Sequence, residues 1–214
     1  MNKKFFLDLL FPRFCFGCQK EGSYLCEDCQ NILGILESHQ TYSGKNLKDL
    51  YWATPYQNPL MKKLIHCFKY EPFLKELSKS LSLLIINHFQ LIEKQPDFSE
   101  FILIPVPLYK KRLKWRGFNQ AEEIGKEVSE FLKIPLISNC LLKIKETPPQ
   151  IELLETERKE SVLGVFWVKK EEIEEEKILL IDDVFTTGAT MEECARVLKK
   201  AGAKEVIGLV VARG

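Results

Sequence analysis

The chain has 214 residues, of which 45% are hydrophobic and 29% are charged, and this composition is typical of a folded globular protein. Because 31 basic side chains stand against 30 acidic ones, the composition excludes a globally basic nucleic-acid-binding protein, and any basic surface must be local. No segment approaches the ~18 apolar residues of a membrane span, and Asp8, Pro12 and Arg13 interrupt the apolar start of the chain. We therefore expect a cytoplasmic protein with neither a signal peptide nor a membrane span.

The first motif along the chain is a pair of CxxC knuckles. Its four cysteines, in a C-x2-C-x7-C-x2-C pattern, are Cys15, Cys18, Cys26 and Cys29. Two closely spaced pairs of thiolates are typical of a closed tetrahedral zinc site, which leaves no open position for catalysis and is therefore structural. Two disulfides or a redox-active pair are the alternatives, and a reducing compartment disfavours them. We predict a zinc-finger head at residues 1–38 and a second domain at 39–214.

After the head, helical and extended patterns alternate. Apolar periodicity, caps and breakers predict helices at 58–71, 74–92, 121–132 and 191–200. Short apolar runs predict buried strands at 101–106, 178–181 and 206–212, with 101–106 as the first strand of the chain, and further strands at 141–145 and 166–168. The glutamate-rich run 171–176 is predicted to be a solvated turn. This order predicts an α/β fold with a doubly wound, mostly parallel sheet flanked by helices, and ligands at the carboxyl ends of the strands.

A basic segment follows strand 101–106 directly. Five cations fall within seven residues, namely Lys110, Lys111, Arg112, Lys114 and Arg116. We interpret the segment as a loop at the carboxyl end of its strand, and three roles are open for it. It is a solvated basic turn, or it binds the oxygens of a phosphorylated ligand. In the third interpretation all five cations bind single-stranded nucleic acid, and Tyr109, Trp115 and Phe118, if they are not core residues, supply stacking surfaces.

Two adjacent aspartates and a hydroxyl-rich loop form the clearest motif. Asp182 and Asp183 end a buried strand, where unpaired carboxylates are costly, so a ligand that offers vicinal hydroxyls or a magnesium ion is their natural partner. The loop that follows contains Thr186, Thr187, Gly188, Ala189 and Thr190. Its hydroxyls, its backbone N–H groups and the amino end of the next helix can together bind a phosphate dianion. Taken alone, each piece is also explained by a strand end and a helix cap.

In one uninterrupted order, ILLIDDVFTTGAT (178–190) matches the signature of the type I phosphoribosyltransferases. The chain also resembles the ComF family of competence proteins. Three features carry this second resemblance: IPVPLYKKRLKWRGFNQAEEIG at 104–125, TPPQIELLETERKESVLGVF at 147–166, and CFGC with CEDC in the head.

The resemblance implies a type I phosphoribosyltransferase fold that binds phosphoribosyl pyrophosphate with Mg²⁺. The two aspartates would hold the ribose and act in catalysis with Arg116, while residues 186–190 would hold the 5-phosphate. Lys114 and Arg116 would contact the pyrophosphate. The charged segment 147–164, if it is not a plain surface excursion, would be the mobile loop that covers it, with Gln150 and Arg158 as contacts.

Two functions remain open. The ComF resemblance implies a cytoplasmic component of natural transformation that handles incoming single-stranded DNA together with a helicase-like DNA translocase. The alternative is a metabolic phosphoribosyltransferase that transfers phosphoribosyl to a nucleobase or amine. In either case the acceptor, and whether turnover occurs at all, are open.

Overall fold

The computed structural model describes residues 12–147 and 162–214. Helices are α1 Glu27–Ile32, α2 Pro59–Lys69, α3 Leu77–Leu91, α4 Lys110–Arg116, α5 Gln120–Leu132 and α6 Ala189–Lys200, with a short 3-10 turn at Lys170–Glu172. Strands are β1 Asp49–Pro55, β2 Phe101–Pro105, β3 Leu141–Lys143, β4 Phe166–Val168, β5 Lys177–Phe185 and β6 Glu205–Arg213. The predictions for Gln150 and Arg158 lie outside the described residues.

A four-stranded parallel sheet forms the centre of the fold, in the order β1-β6-β5-β2. One apolar cluster packs α2, α3 and α5 against one face, and a second cluster packs α6 and the β3–β4 hairpin against the other. Helices on both faces of a parallel sheet confirm the predicted doubly wound α/β architecture.

The lengths of the strands create the site. β2 ends at Pro105, opposite Ile181 of β5, whereas β5 continues to Phe185 and from Asp182 onward pairs only with β6. The last residues of β5 therefore have no strand beside them on the β2 side. This edge is the place where a doubly wound sheet binds its ligands.

Two predictions about elements are wrong. The first described strand is β1, not 101–106, because Asp49–Pro55 mixes Tyr51 and Thr54 with its apolar residues and so lacks the continuous apolar run expected of a buried strand. β1 is an edge strand that pairs only with β6, so it needs less apolar surface. The basic segment is not a loop but helix α4, whose lysines and arginines are good helix formers and which ends at Gly117 with φ +83°.

The cysteine head packs on the sheet domain through α2. Cys15, Cys29 and Leu33 are buried in the same apolar cluster as the residues of α2 and α3. The Lys63 ammonium donates to the Phe16 carbonyl at 3.3 Å and lies over the Phe16 ring. The predicted domain boundary at residue 38 stays a prediction. Within the residues that the structure describes, no helix is long and apolar enough to cross a bilayer.

Candidate functional site

A cavity of about 480 Å³ opens at the carboxyl ends of β2 and β5, a size typical of small-molecule sites. Several segments of the chain form its walls: the end of β5 with the loop that follows, α4 with the start of α5, α2, and the hairpin residues around Lys143. The cavity thus brings together Asp182 and Asp183, which we call the acidic pair, the hydroxyl loop of residues 186–190 that follows them, and two arginines of the basic segment, which lies about 70 residues earlier in the chain.

The two aspartates of β5 have different surroundings. Alternation along the strand turns Asp183 toward α2, where its Oδ1 lies 2.8 Å from the Lys69 ammonium, and Asp183 is only 2% exposed. Asp182 accepts a hydrogen bond from the Asp183 N–H at 2.9 Å and has no ion pair within the described residues. Asp183 is therefore already neutralised by the protein, whereas Asp182 is the carboxylate available to a ligand.

The charge states of the cavity follow from this asymmetry. Burial, together with the negative charge of Asp183, raises the pKa of Asp182 to about 7 despite the nearby Lys69. Burial alone would lower the pKa of Lys69, but attraction to Asp183 and Asp182 outweighs burial and raises it. Near neutral pH, Asp182 is poised between its two forms, and a cation or a hydrogen-bond donor that enters the cavity favours the carboxylate.

The hydroxyl loop, residues 186–190, turns β5 into α6. Gly188 has φ +77°, and a Cβ atom there would lie 2.4 Å from the Phe185 ring, so only glycine fits this turn. α6 begins at Ala189, whose N–H faces the Thr187 hydroxyl at 3.5 Å, and all five loop residues line the cavity. Threonine hydroxyls and backbone N–H groups at the start of a helix form a phosphate-binding arrangement.

Two arginines from α4 and a lysine from β3 form the basic wall, defined as Arg112, Arg116 and Lys143. The arginines stand at i and i+4, so they share the helix face that points into the cavity. Arg116 is 9% exposed and donates to the Gln120 amide oxygen, but its Nε has no hydrogen-bond partner within the described residues. A buried guanidinium donor without a partner indicates a position for an anionic ligand.

The remaining cations of α4 lie outside the cavity. Lys110, Lys111 and Lys114 are exposed, and Lys111 pairs with Glu146 at 3.4 Å. Lys114 is therefore not brought to the predicted pyrophosphate contact. Of the aromatic residues considered for stacking, Trp115 is 57% exposed, while Phe118 is buried in the core. We call the exposed group Lys110, Lys111, Lys114 and Trp115 the outer α4 surface.

One wall of the cavity was not predicted from the sequence. It is formed by α2 and the residues beside it, and we call it the α2 wall: Tyr56, Lys62, Ile65, His66, Lys69 and Tyr70. Positions 62, 65, 66 and 69 repeat with helical spacing, which the sequence displays. The same helix also has an apolar stripe, which dominates its pattern and gives no sign that the second stripe lines a cavity. Lys143 was missed as well, because it lies far from the acidic pair along the chain.

The four cysteines of the head converge as predicted. Their Sγ atoms all lie within 4.8 Å of one another, and Cys18 and Cys26 are 3.5 Å apart. Thiolates bound to zinc at about 2.3 Å are separated by about 3.8 Å, so the cluster fits a tetrahedral ion. Burial opposes ionisation of Cys15, but N–H donors from Cys26, Cys18 and Gly17 outweigh it and lower its pKa to about 6. Burial and the neighbouring thiols instead raise the pKa of Cys29 to about 12. The spacing of the four thiols is therefore what suits the cluster to a metal such as zinc.

Comparison with known proteins places these observations in a family. Residues 126–214 match the model of the phosphoribosyl transferase domain. Competence protein F of Haemophilus influenzae is 37% identical over 106 residues, which are 49% of this chain and 46% of that protein. Competence protein ComFC of Streptococcus pneumoniae is 29% identical over 198 residues, 90% of this chain and 77% of that protein.

A DNA utilization protein, YhgH of Shigella flexneri, is 29% identical over 152 residues, which are 69% of this chain and 65% of that protein. The chain thus spans about half the length of the Haemophilus relative and about three quarters of the Streptococcus relative. The match to the phosphoribosyl transferase domain includes the acidic pair and the hydroxyl loop.

Proposed function

We propose that this chain, which belongs to the ComF family of type I phosphoribosyltransferase-like proteins, binds phosphoribosyl pyrophosphate in the cavity at the carboxyl ends of its strands. The observation that carries this proposal is the buried Arg116, whose Nε lacks a partner in a cavity shared with the hydroxyl loop and Asp182. A ligand with two separate anionic groups and a diol between them matches that order of donors and acceptors.

Each wall has a distinct role in this proposal. The hydroxyl loop binds the 5-phosphate through its threonines and the amino end of α6. Asp182 accepts hydrogen bonds from the ribose hydroxyls, and Asp183 keeps Lys69 in place. The basic wall neutralises the pyrophosphate. Asp182 is also the described carboxylate suited to Mg²⁺, which would neutralise charge as pyrophosphate forms or departs.

Calorimetric titration of phosphoribosyl pyrophosphate, with and without Mg²⁺, tests this site. We expect Asp182→Asn to weaken binding about tenfold or more, because one charge-assisted hydrogen bond contributes about 1.5–3 kcal/mol. Asp97→Asn makes the same chemical change at an exposed position before β2, at the opposite edge of the sheet, and is expected to bind normally. Equal binding by both variants would contradict the proposal.

We further propose that the chain acts in the cytoplasm during natural transformation, on incoming single-stranded DNA and beside a helicase-like DNA translocase. The names of the relatives, which refer to competence and DNA utilization, support this role. The outer α4 surface supports it independently, because it combines three lysines with an exposed tryptophan. Lysines neutralise the phosphate backbone, and an exposed ring stacks on bases without regard to sequence.

Binding of single-stranded DNA at several salt concentrations tests the DNA surface. Replacing Lys110, Lys111 and Lys114 by alanine should weaken binding and flatten its salt dependence, because fewer counterions are then released. The matched control replaces three exposed lysines at the end of α6 and beyond, Lys199, Lys200 and Lys204, and removes the same charge. If both triple variants lose the same affinity, the effect reflects net charge rather than the outer α4 surface.

Phosphoribosyl transfer is the second candidate function, and the α2 wall favours it. That wall has no assigned contact to phosphoribosyl pyrophosphate in the site described above, so it leaves room for a second reactant. Release of pyrophosphate on addition of an acceptor would establish transfer. A protein that binds the ligand and releases no pyrophosphate with nucleobases, amines or nucleic acid is a binding protein.

A further inference from the structure

A second stretch of chain supports the hydroxyl loop from outside the cavity. We call it the 42–46 segment, and none of its residues, which all belong to the described part of the chain, lines the cavity. Its first residue is fixed to β1, since the Tyr42 N–H donates to Asp49 Oδ1 at 3.1 Å. Just beyond its last residue, the Lys48 N–H donates to the Val206 carbonyl of β6 at 2.9 Å. The segment is therefore fixed to the sheet at both ends.

Glu192, in the first turn of α6, joins this helix to the 42–46 segment. Its two carboxylate oxygens accept one hydrogen bond each, from the Tyr42 hydroxyl at 3.0 Å and from the Asn46 N–H at 2.7 Å. Burial and the negative charge of Glu192 raise the pKa of Tyr42 to about 12, so the phenol remains a donor at neutral pH. A Cβ atom at Gly44 would overlap the Glu192 carboxylate, which can therefore take this position only beside a glycine.

Tyr42 also reaches the hydroxyl loop through its ring. The rings of Tyr42 and Phe185 lie 5.4 Å apart between centroids at 75°, which is an edge-to-face contact. The Phe185 ring in turn packs against Gly188, the residue of positive φ at which β5 turns into α6. The Arg213 guanidinium lies 5.3 Å from the centre of the Tyr42 ring and 4.4 Å from that of Trp52. Since a cation is attracted to the face of an aromatic ring, Arg213 helps to hold Tyr42 at this place.

These contacts act on the part of the cavity that binds the 5-phosphate in the proposed function. The hydroxyls and N–H groups of the loop must converge on one anion, and a shift of more than about 0.5 Å spoils such a site. The Glu192 carboxylate also lies near the amino end of α6, where it could compete with a phosphate for the positive end of the helix dipole. Its hydrogen bonds to the 42–46 segment satisfy this carboxylate with protein donors and so leave the donors of the loop to the ligand.

We infer that Tyr42 and Glu192 are positioning residues for the 5-phosphate, which hold the hydroxyl loop in the form that binds this group without touching it themselves. The inference rests on the proposed function and deepens it, since it concerns one end of the same ligand. Affinity for ligands that carry the 5-phosphate should therefore depend on both residues. Affinity for pyrophosphate alone, which uses the basic wall, should not.

Calorimetric titration with three ligands, each with Mg²⁺, tests the inference. Ribose 5-phosphate carries only the phosphate of the loop, pyrophosphate carries only the groups of the basic wall, and phosphoribosyl pyrophosphate carries both. Glu192→Ala removes both hydrogen bonds and should weaken binding of the two ligands that carry the 5-phosphate about tenfold. Tyr42→Phe removes one hydrogen bond and keeps the ring, so it should weaken their binding about threefold, because positioning transmits only part of the energy of a charge-assisted hydrogen bond. Pyrophosphate should bind both variants normally.

The sign of the Glu192 effect separates positioning from charge. If charge alone mattered, removal of a carboxylate near the amino end of α6 would strengthen the binding of an anion, whereas the positioning role predicts weaker binding. Glu192→Gln keeps both contacts, because its amide oxygen can accept from the Asn46 N–H and its amide nitrogen can donate to the Tyr42 hydroxyl oxygen. This variant should therefore bind ribose 5-phosphate at least as tightly as the unchanged protein.

Glu130→Ala and Tyr24→Phe are the matched controls. Glu130 is exposed on α5, which packs on the opposite face of the sheet from α6. Tyr24 lies in the cysteine head, and its hydroxyl makes no hydrogen bond to any residue that the structure describes. Both controls should bind all three ligands normally. Thermal unfolding establishes that each variant is folded at the temperature of the titration, and if Glu192→Ala is not, Tyr42→Phe and its control decide the question.

The outcomes separate this inference from the proposed function. If phosphoribosyl pyrophosphate binds the unchanged protein, and the variants bind it equally well or lose pyrophosphate to the same extent, the positioning role is refuted and the ligand site stands. If the variants lose ribose 5-phosphate as predicted but phosphoribosyl pyrophosphate does not bind the unchanged protein, the positioning role stands and the proposed function is refuted. If neither ligand that carries the 5-phosphate binds the unchanged protein, both are refuted.

Discussion

Lys69→Met removes the cation that neutralises Asp183, and its effect on stability should depend on pH. At the observed separation of 2.8 Å, Coulomb's law with an effective dielectric constant of about 20 gives an attraction of about 6 kcal/mol. The folded variant no longer has to desolvate an ammonium group, which offsets part of this lost attraction. The pair is also partly screened by water, because 29% of the Lys69 side chain is exposed. We therefore expect the free energy of unfolding to fall by about 2–4 kcal/mol at pH 8, near the lower end for broken buried pairs.

At pH 5 the loss should be much smaller, because a proton taken up by the acidic pair replaces the missing ammonium. Mg²⁺ should restore part of the stability at pH 8 for the same reason. Urea denaturation at both pH values measures the effect, with Lys79→Met, at an exposed position of α3, as the control. The double variant Lys69→Met, Asp183→Asn should recover most of the loss at pH 8. A loss of the same size at both pH values, or no rescue, would refute the assigned ion pair.

Three further predictions concern other parts of the molecule. The pKa of Asp182 is raised in the folded protein to about 7, so the folded state favours the protonated carboxyl group. The stability that Asp182 contributes is therefore fully present below about pH 4 and is lost as the pH rises through 7. As the pH rises from 5 to 8, the Asp182→Asn variant should therefore become more stable relative to the unchanged protein, by roughly 2 kcal/mol once screening is allowed for. Urea denaturation measures this difference, and a difference that does not vary with pH would count against the prediction. Gly188→Ala introduces a Cβ atom at φ +77° against the Phe185 ring, and it should lower the melting temperature and weaken phosphate binding. The control is Gly34→Ala, which has a similar positive φ but no atom near the new Cβ, and it should have a smaller effect. Removing metal with a strong chelator should lower the melting temperature reversibly through the cluster of Cys15, Cys18, Cys26 and Cys29, and an unchanged melting temperature together with no zinc in elemental analysis would contradict a structural zinc.

Some parts of the fold could be predicted from sequence because local patterns dominate there. The buried strands β2, β5 and β6 are continuous apolar runs, and α2 begins at the cap Asn58 and its proline. β1 could not be predicted in this way, since its place at the edge of the sheet depends on pairing with β6, some 150 residues away. Pairing over such a distance leaves little trace in local periodicity.

The candidate site shows the same division. Asp182 and the hydroxyl loop are adjacent in sequence, so their shared role was visible as a motif. The Lys69–Asp183 pair was not visible, because it joins α2 to β5 across more than a hundred residues. Arg116 and Lys114 point in opposite directions because the segment is helix α4, which has an inner and an outer face, and not the predicted loop.

The central claim is that one cavity holds both ends of phosphoribosyl pyrophosphate, and a crystal structure of the protein with this ligand and Mg²⁺ tests it most directly. We predict that the 5-phosphate lies in the loop of residues 186–190, that the ribose hydroxyls face Asp182, and that Arg116 Nε gains an oxygen of the pyrophosphate as its partner. A ligand bound elsewhere, or one whose phosphate groups leave both Arg116 and the loop without contact, would contradict the claim.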